Sequence, residues 1–397
     1  MPKALDDVRI VDLTRVIAGP YATTLLGDMG AQIIKIELPG RGDDARYGYP
    51  TVDGVPIAFL ALNRNKKGIT LDIRKPKGAA LFRRLVRDAD IVVENFSAGT
   101  MDKWGLGYPA LSPLNPRLIY ATLSGFGQTG PYAQRTSYDI IAQAMGGLMA
   151  MTGFADGPPT RGGGSLGDFI GGVYTAVGIL TALHYRDRTG KGQLVDVSNM
   201  DAVFSMLDNW PTLHGVTGRL PERSGNRHPF TAPYDCFKAK DGYVVIGVGN
   251  SLLFRALVSA MGKPELAQDR RFKSASARLE RHDEVNQLVA DWVTDRSVDE
   301  VMESLGPNGA NVPCAPVMTV DRLMTDPQIR AREMVVELPH AKLGRIPVSG
   351  VPLKLSESPG QLEHLGPDLG QHNDEIYRGW LGLTESEIKE LQADGVI

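Results

Sequence analysis

Short apolar segments and helix-like segments alternate through the first third of the chain, and this alternation restricts the fold more than any other feature. Val8-Arg9-Ile10-Val11-Asp12-Leu13 reads as a strand. A break at Gly19-Pro20 leads into a helix running to about Met29, and Gln32-Ile33-Ile34-Lys35-Ile36 closes a βαβ unit. Ile69 to Ile73 reads as the next strand. Gly78 to Arg87 follows as an amphipathic helix with Leu81, Phe82 and Leu85 at helical spacing. Strands at Ile91-Val92-Val93 and at Leu118 to Leu123 continue the pattern. Strand–helix–strand repetition of this kind predicts an α/β fold, doubly wound around a largely parallel, Rossmann-like sheet.

Farther along, residues 138–150 read as a helix of small residues, and Asp168 to about Tyr185 as a second helix, ended by Thr189-Gly190-Lys191-Gly192. A strand from Gln193 to Val197 and a helix from Asp201 to about Trp210 complete the large domain's first part, residues 1–220. Glycine and proline cluster between 215 and 230. A hairpin signal follows: Tyr234 to Lys238, the turn Lys240-Asp241-Gly242, then Tyr243 to Val248. Charged helical segments continue from Ser251 to Leu305, so 225–325 reads as a smaller α+β domain. Residues 326–397 read as a segment returning to the large domain, with a proline-interrupted strand from Ile346 to Leu355 and a helix from Thr384 to Gln392.

Composition narrows the function. A formal charge of -3 gives no footprint for nucleic acid or an anionic membrane surface. No run of 18 uninterrupted apolar residues suggests a membrane span, and the N-terminal residues lack the apolar core of a signal peptide. Cys236 and Cys314 are the only cysteines and have no C-x-x-C partner, which fits a reduced, cytoplasmic protein. The seven histidines form no H-x-H or H-x-x-x-H pair, so no metal site is expected.

Gly162-Gly163-Gly164-Ser165-Leu166-Gly167-Asp168 matches G-x-G-x-x-G, the spacing of a dinucleotide fingerprint. The residues before it, Asp156-Gly157-Pro158-Pro159-Thr160-Arg161, cannot form the central strand that fingerprint requires. Two readings of Asp168 remain compatible. It serves as the N-cap of the following helix. It is also a nucleophilic carboxylate that the helix N-terminus keeps ionised, with flanking glycines admitting a bulky substrate.

Several blocks in fixed order carry a resemblance. They are Val11-Asp12-Leu13-Thr14 with Ala18-Gly19-Pro20, and Leu26-Gly27-Asp28-Met29-Gly30-Ala31 with Ile34-Lys35-Ile36-Glu37. Next come Asn63-Arg64-Asn65-Lys66 with Leu71-Asp72, then Val93-Glu94-Asn95-Phe96, Thr152-Gly153 and Gly167-Asp168. Gly190-Lys191-Gly192-Gln193 with Asp201-Ala202-Val203 completes the set. Together they resemble the class III CoA-transferases, the family of formyl-CoA and carnitine CoA-transferases, over essentially the whole chain. The resemblance implies an aspartate nucleophile at Asp168 that forms covalent anhydride and thioester intermediates, with an acyl-CoA and a small carboxylate as substrates. It implies no permanently bound cofactor, the CoA thioester being a substrate. It implies CoA contacts at Val16, Ile17 and Ala18, at Leu71, Asp72, Ile73 and Arg74, at Asn95, Phe96 and Ser97, and at Lys103. Tyr138 and Asp139 match the acyl pocket.

CoA phosphates need basic partners, for which Arg41, Arg46, Arg74 and Lys103 are candidates. The formyl-CoA branch has an arginine directly after its counterpart of Glu37. Here Leu38-Pro39 stands there, and the contact passes to Arg41. That branch also has a glycine-rich lid, whereas Ser224-Gly225-Asn226-Arg227-His228-Pro229 is short, so formyl-CoA and oxalate are not the expected pair. Succinyl-CoA and a small di- or hydroxy-carboxylate are expected instead.

Racemases acting on α-methylacyl-CoA share the fold and place a histidine 30 residues before their aspartate. Tyr138 holds that position here, and a phenol ordinarily titrates near 10, which makes it a poor base at neutral pH. Relatives form interlocked homodimers, and some work as heteromers in which one subunit lacks the aspartate. A homodimer is therefore expected, with a subunit of a heteromer as the alternative.

Overall fold

The computed structural model describes residues 2–48 and 50–397. The chain divides into two compact units. The larger comprises residues 1–149, 161–219 and 327–397, and the smaller residues 150–160 and 220–326.

Six parallel strands form the sheet of the larger unit: β1 (Arg9–Asp12), β2 (Gln32–Glu37), β3 (Lys66–Thr70), β4 (Ile91–Glu94), β5 (Ile119–Ser124) and β6 (Leu194–Ser198). Their spatial order is β3-β2-β1-β4-β5-β6. The register pairs Val11 with Ile34 and with Val92, and Ala121 with both Val93 and Val195. Strand order therefore reverses between β1 and β4, and a doubly wound sheet opens its binding crevice at the carboxyl ends of those two strands.

The third strand begins three residues earlier than Ile69. Sequence reasoning passed over Lys66 and Lys67 because a lysine does not read as a core position. Lys66 is nevertheless fully buried: its ammonium reaches Asp12 Oδ2 at 3.0 Å and also donates to Thr23 Oγ1, Asn63 Oδ1 and the Pro20 carbonyl. Burial pushes its pKa down to about 8, while the neighbouring Asp12 carboxylate pulls the other way.

Helix α1 (Ala18–Asp28) covers one face of the sheet, and α2 (Pro76–Arg87) lies on the other, burying Leu81, Phe82, Leu85 and Val86. The longest helix, α4 (Leu166–Thr189), follows α3 (Asp139–Met145) and packs on α1 and β5. It reaches a mean hydropathy of 1.5 over 18 residues, enough by length and composition to cross a membrane, but one face is committed to the core through Thr175, Ala176, Ile179 and Ala182. The expected helix from Asp201 to Trp210 is two segments instead, α5 (Asn199–Phe204) and Trp210–Thr217.

Residues from the end of the chain finish the edge of the sheet. Asn373 Oδ1 accepts the Thr70 N–H at 2.9 Å, His372 Nδ1 accepts that of Gly68 at 3.0 Å, and the Val396 carbonyl accepts that of Asp72 at 2.8 Å. An antiparallel pair, Val335–His340 with Gly344–Ser349, belongs to the same unit.

The smaller unit has a three-stranded antiparallel sheet with Tyr243–Gly247 between Tyr234–Lys238 and Cys314–Pro316. Helices Ser251–Ala260, His282–Thr294 and Val298–Leu305 bury Phe254, Leu257, Val289, Val293 and Val301 in its core.

Candidate active site

Three electrostatic struts hold the turn after β1. Asn95, just beyond β4, accepts the Arg15 N–H and donates to the Arg15 carbonyl, both at 2.8 Å. Asp43 Oδ1 accepts the Val16 N–H at 3.0 Å. Lys35, fully buried, bridges Asp43 Oδ2 at 2.9 Å and the Thr14 carbonyl at 2.7 Å. Between these anchors Val16 adopts φ +69°, a left-handed conformation costly for a β-branched residue and of a kind that gathers at functional sites.

Two pockets flank this turn, and Arg15 lines both. One, of about 90 Å³, lies over the carboxyl ends of β1, β2 and β3. Leu71, Asp72, Ile73, Arg74 and Phe96 line it together with Glu37 and Trp104. The other, of about 200 Å³, is walled by Val16, Ile17, Ala18, Asn95, Ser137 and Tyr138, with Asp168 and Asn199. Most of the predicted residues thus fall into two neighbouring hollows. Arg41, Ser97 and Lys103 line neither pocket, and Arg41 pairs with Asp44 at 2.9 Å. Arg74 is engaged by Asp72, which draws that carboxyl below its usual range. Arg46 is committed to structure, bound through two nitrogens to Glu37 and lying over the Phe59 ring.

The cap reading of Asp168 does not survive. Ser165 occupies the cap position and Asp168 is the third residue inside α4. The carboxylate that binds the helix end comes from α3: Asp139 Oδ1 accepts the Gly167 N–H at 2.8 Å. Asp139 Oδ2 accepts from Gln143 at 2.8 Å and from Arg161 at 3.3 Å, and Gln143 in turn accepts the Gly162 N–H. The glycine run is thus laced to α3 by side chains. Asp139 is not among the residues that line the hollow around Asp168; it braces the loop before that residue.

This arrangement also sets the pKa of Asp168. Burial, and next the negative charge of Asp139, raise it to about 6, against a lowering contribution from the Asn199 hydrogen bond. A carboxylate with a pKa of about 6 is still about nine-tenths ionised at pH 7.

Sequence reasoning missed Asn199. Its Nδ2 donates to Asp168 Oδ1 at 3.0 Å. Ser198 followed three residues on by Asp201 is a helix-start signature, and the Ser198 hydroxyl does accept the Asp201 N–H at 3.1 Å. That signature places the helix start at Asn199, at the carboxyl end of β6 and beside Asp168.

The chain matches the model of CoA-transferase family III over residues 5–373 and belongs to that family. It is 42% identical to a succinyl-CoA–D-citramalate CoA-transferase of Chloroflexus aurantiacus, over all of this chain and 98% of that one. It is 37% identical to the beta subunit of a succinyl-CoA–L-malate CoA-transferase from the same organism, over 99% of this chain and 98% of that one. The crystal structure of a CaiB/BaiF family protein from Brucella suis superposes with a TM-score of 0.86 at 38% identity, covering 96% of this chain and all of that one. The protein is a CoA-transferase that uses CoA thioesters as substrates.

Proposed function

We propose that the protein moves CoA from succinyl-CoA to a small di- or hydroxy-carboxylate through covalent intermediates on Asp168. The observation that carries this reading is the position of Asp168: a carboxylate raised to about 6, walled into a hollow beside the loop Val16–Ala18 and one residue, Arg15, away from the second pocket. The larger part of CoA lies over the carboxyl ends of β1 to β3, and its thioester enters the catalytic hollow past Val16, Ile17 and Ala18. Asp168 attacks the acyl carbonyl and expels the CoA thiolate, giving a mixed anhydride. The thiolate returns to the aspartyl carbon and releases the donor acid. The acceptor carboxylate then repeats both steps in reverse order. The thioester's free energy is conserved throughout.

The names of the two Chloroflexus relatives support succinyl-CoA as donor and hydroxy-acids as acceptors. Tyr138, which is 78% exposed, stands where a racemase would need its base, and this favours carbonyl attack over proton exchange. A homodimer agrees with the apolar outer face of α4, where Val173, Tyr174, Val177 and Leu180 stay exposed. A heteromer is the second reading, since one relative is a named beta subunit.

A panel of acyl-CoA donors and carboxylate acceptors, read by mass spectrometry of the CoA products, tests the reaction. Succinyl-CoA is expected to lead the donors, and Asp168→Ala to abolish transfer. Continued transfer by that variant refutes the covalent scheme. Sedimentation of the purified chain tests the assembly, and activity of the chain alone excludes an obligatory second subunit.

A further inference from the structure

The two oxygens of Asp168 differ in their surroundings. Oδ1 accepts the Asn199 amide hydrogen bond at 3.0 Å; among the described residues Oδ2 has no hydrogen-bond donor and is left for the hollow. An ionised carboxylate can only accept, so the NH₂ end of Asn199 must face it. Asn199 is 7% exposed, and its Oδ1 is buried with no hydrogen-bond partner among the described residues. That carbonyl lies against Gly171, one helical turn beyond Asp168, where an added Cβ would stand 2.0 Å from it. A buried amide carbonyl left unsatisfied is destabilising, and a leucine of similar shape would avoid that cost. The amide is therefore retained for its other end.

We propose that Asn199 Nδ2 is the hydrogen-bond donor for the oxyanion that forms on Asp168 itself, and that it leaves Oδ2 as the attacking oxygen. The inference rests on the covalent reading above and assigns a group to a step within it. An Oδ2 lone pair attacks the donor's thioester carbonyl; the C–S bond breaks and the thiolate departs with the electron pair. Oδ2 becomes the bridge of the anhydride. The thiolate then adds to Cγ, and the Cγ–Oδ1 π pair moves onto Oδ1, which carries a full negative charge beside Nδ2. Collapse restores the Cγ=Oδ1 bond and breaks Cγ–Oδ2, so the donor acid leaves as a carboxylate with that oxygen. In the second half, an acceptor oxygen adds to the Cγ of the aspartyl thioester, and the same oxyanion forms before the thiolate is expelled. The thiolate finally attacks the acceptor's carbonyl and frees Asp168, now holding one acceptor oxygen. The carbonyl of the acylated enzyme is neutral and the tetrahedral state is anionic, so the donor acts mainly in the transition state.

The test uses the full chain with succinyl-CoA and succinate labelled with ¹⁸O in its carboxylates, a self-exchange that needs one acid only. Three variants are compared: Asn199→Leu, Asn199→Ala and Gly171→Ala. The two Asn199 variants are expected to lose about 10²–10³-fold in kcat. Their KM for succinyl-CoA should stay within about threefold of the parent, since the loss is confined to the transition state. The acidic limb of their pH profile should move upward, because the lost donor favoured the ionised carboxylate.

Gly171→Ala should displace Asn199 and show the same kcat loss. The double variant Gly171→Ala/Asn199→Ala should be no slower than Asn199→Ala alone. An unchanged kcat in both Asn199 variants overturns the proposal. Label in Asp168 of those active variants leaves the covalent reading intact. Turnover by the parent enzyme with no ¹⁸O in the Asp168 peptide overturns the covalent reading instead. Absence of exchange overturns succinyl-CoA as donor, and the panel's best pair then takes its place.

Discussion

Replacing Asp168 with asparagine should abolish transfer and at the same time stabilise the fold, by an amount that grows with pH. The carboxyl is raised from 3.8 to about 6, chiefly by burial and next by Asp139. A rise of that size corresponds to roughly 3 kcal/mol between the ionised and neutral forms. The folded state binds the proton more tightly than the unfolded chain, so stability falls as pH climbs from about 4 to about 6. Below 3.8 the carboxyl is neutral in both states and costs nothing. At pH 4.5 the cost is roughly 1 kcal/mol, and at pH 7.5 it approaches roughly 3 kcal/mol. Asparagine keeps the shape and an acceptor for the Asn199 amide, and carries no charge at any pH. Urea midpoints of both proteins, measured from pH 4.5 to 7.5, should therefore diverge by roughly 2 kcal/mol, the variant being the more stable at neutral pH. The parent's kcat/KM should fall on its acid side with an apparent pKa of about 6. A stability gap of constant size, or a parent more stable at pH 7.5, would refute the account of Asp168 as a carboxylate held ionised against its surroundings.

Lys66→Met should destabilise the protein by up to about 3–5 kcal/mol, since it removes the ammonium facing fully buried Asp12 and leaves that carboxylate to the Thr14 and Thr23 hydrogen bonds and the Lys35 charge; adding Asp12→Asn should recover much of that loss in the same denaturant titration. Arg15→Ala should raise KM for acyl-CoA about tenfold or more and change kcat less, because the side chain lines both pockets and packs over Phe96 without touching Asp168; initial-rate kinetics decide it. Gly172→Ala places a Cβ 2.8 Å from the Ala18 carbonyl, so α1 must shift from α4. A loss of about 1–3 kcal/mol with weaker acyl-CoA binding is expected, visible as a lower melting temperature that saturating acyl-CoA only partly restores.

The sheet was legible where its strands obey hydropathy. Val11, Ile34, Val92 and Ala121 are apolar residues buried between two layers, and their segments fell where expected. The third strand slipped because a buried ion pair inverts that signal: Lys66 looks like surface until Asp12 is known to face it. At the site, the glycine run drew attention to Asp168 but suggested the wrong local role, since Ser165 holds the cap position. A cap can be recognised in sequence only when it lies in its own helix, and Asp139 reaches Gly167 from another. Asn199 escaped notice for a related reason: its importance lies in a contact 31 positions away, across the strand–helix junction. The raised pKa of Asp168 could not be read from composition at all, because it depends on how deeply the fold buries one carboxyl and on which neighbour shares its charge.

The dependence of the strip Leu71–Arg74 on residues near 396 sets an order of events for a growing polypeptide. That strip forms one wall of the pocket assigned to CoA, yet the Asp72 N–H finds its acceptor at the Val396 carbonyl, and Lys75 reaches the carbonyls of Asp394 and Gly395. Domains begin to fold from the N-terminal side during synthesis. Here the β1 and β4 ends can assemble early, while the wall at 71–74 waits for partners some 320 positions farther along the chain. A chain that had not yet reached residue 394 would thus carry the Asp168 hollow without a finished wall at 71–74, and on the proposed mechanism Asp168 would stay unacylated until that stretch is made.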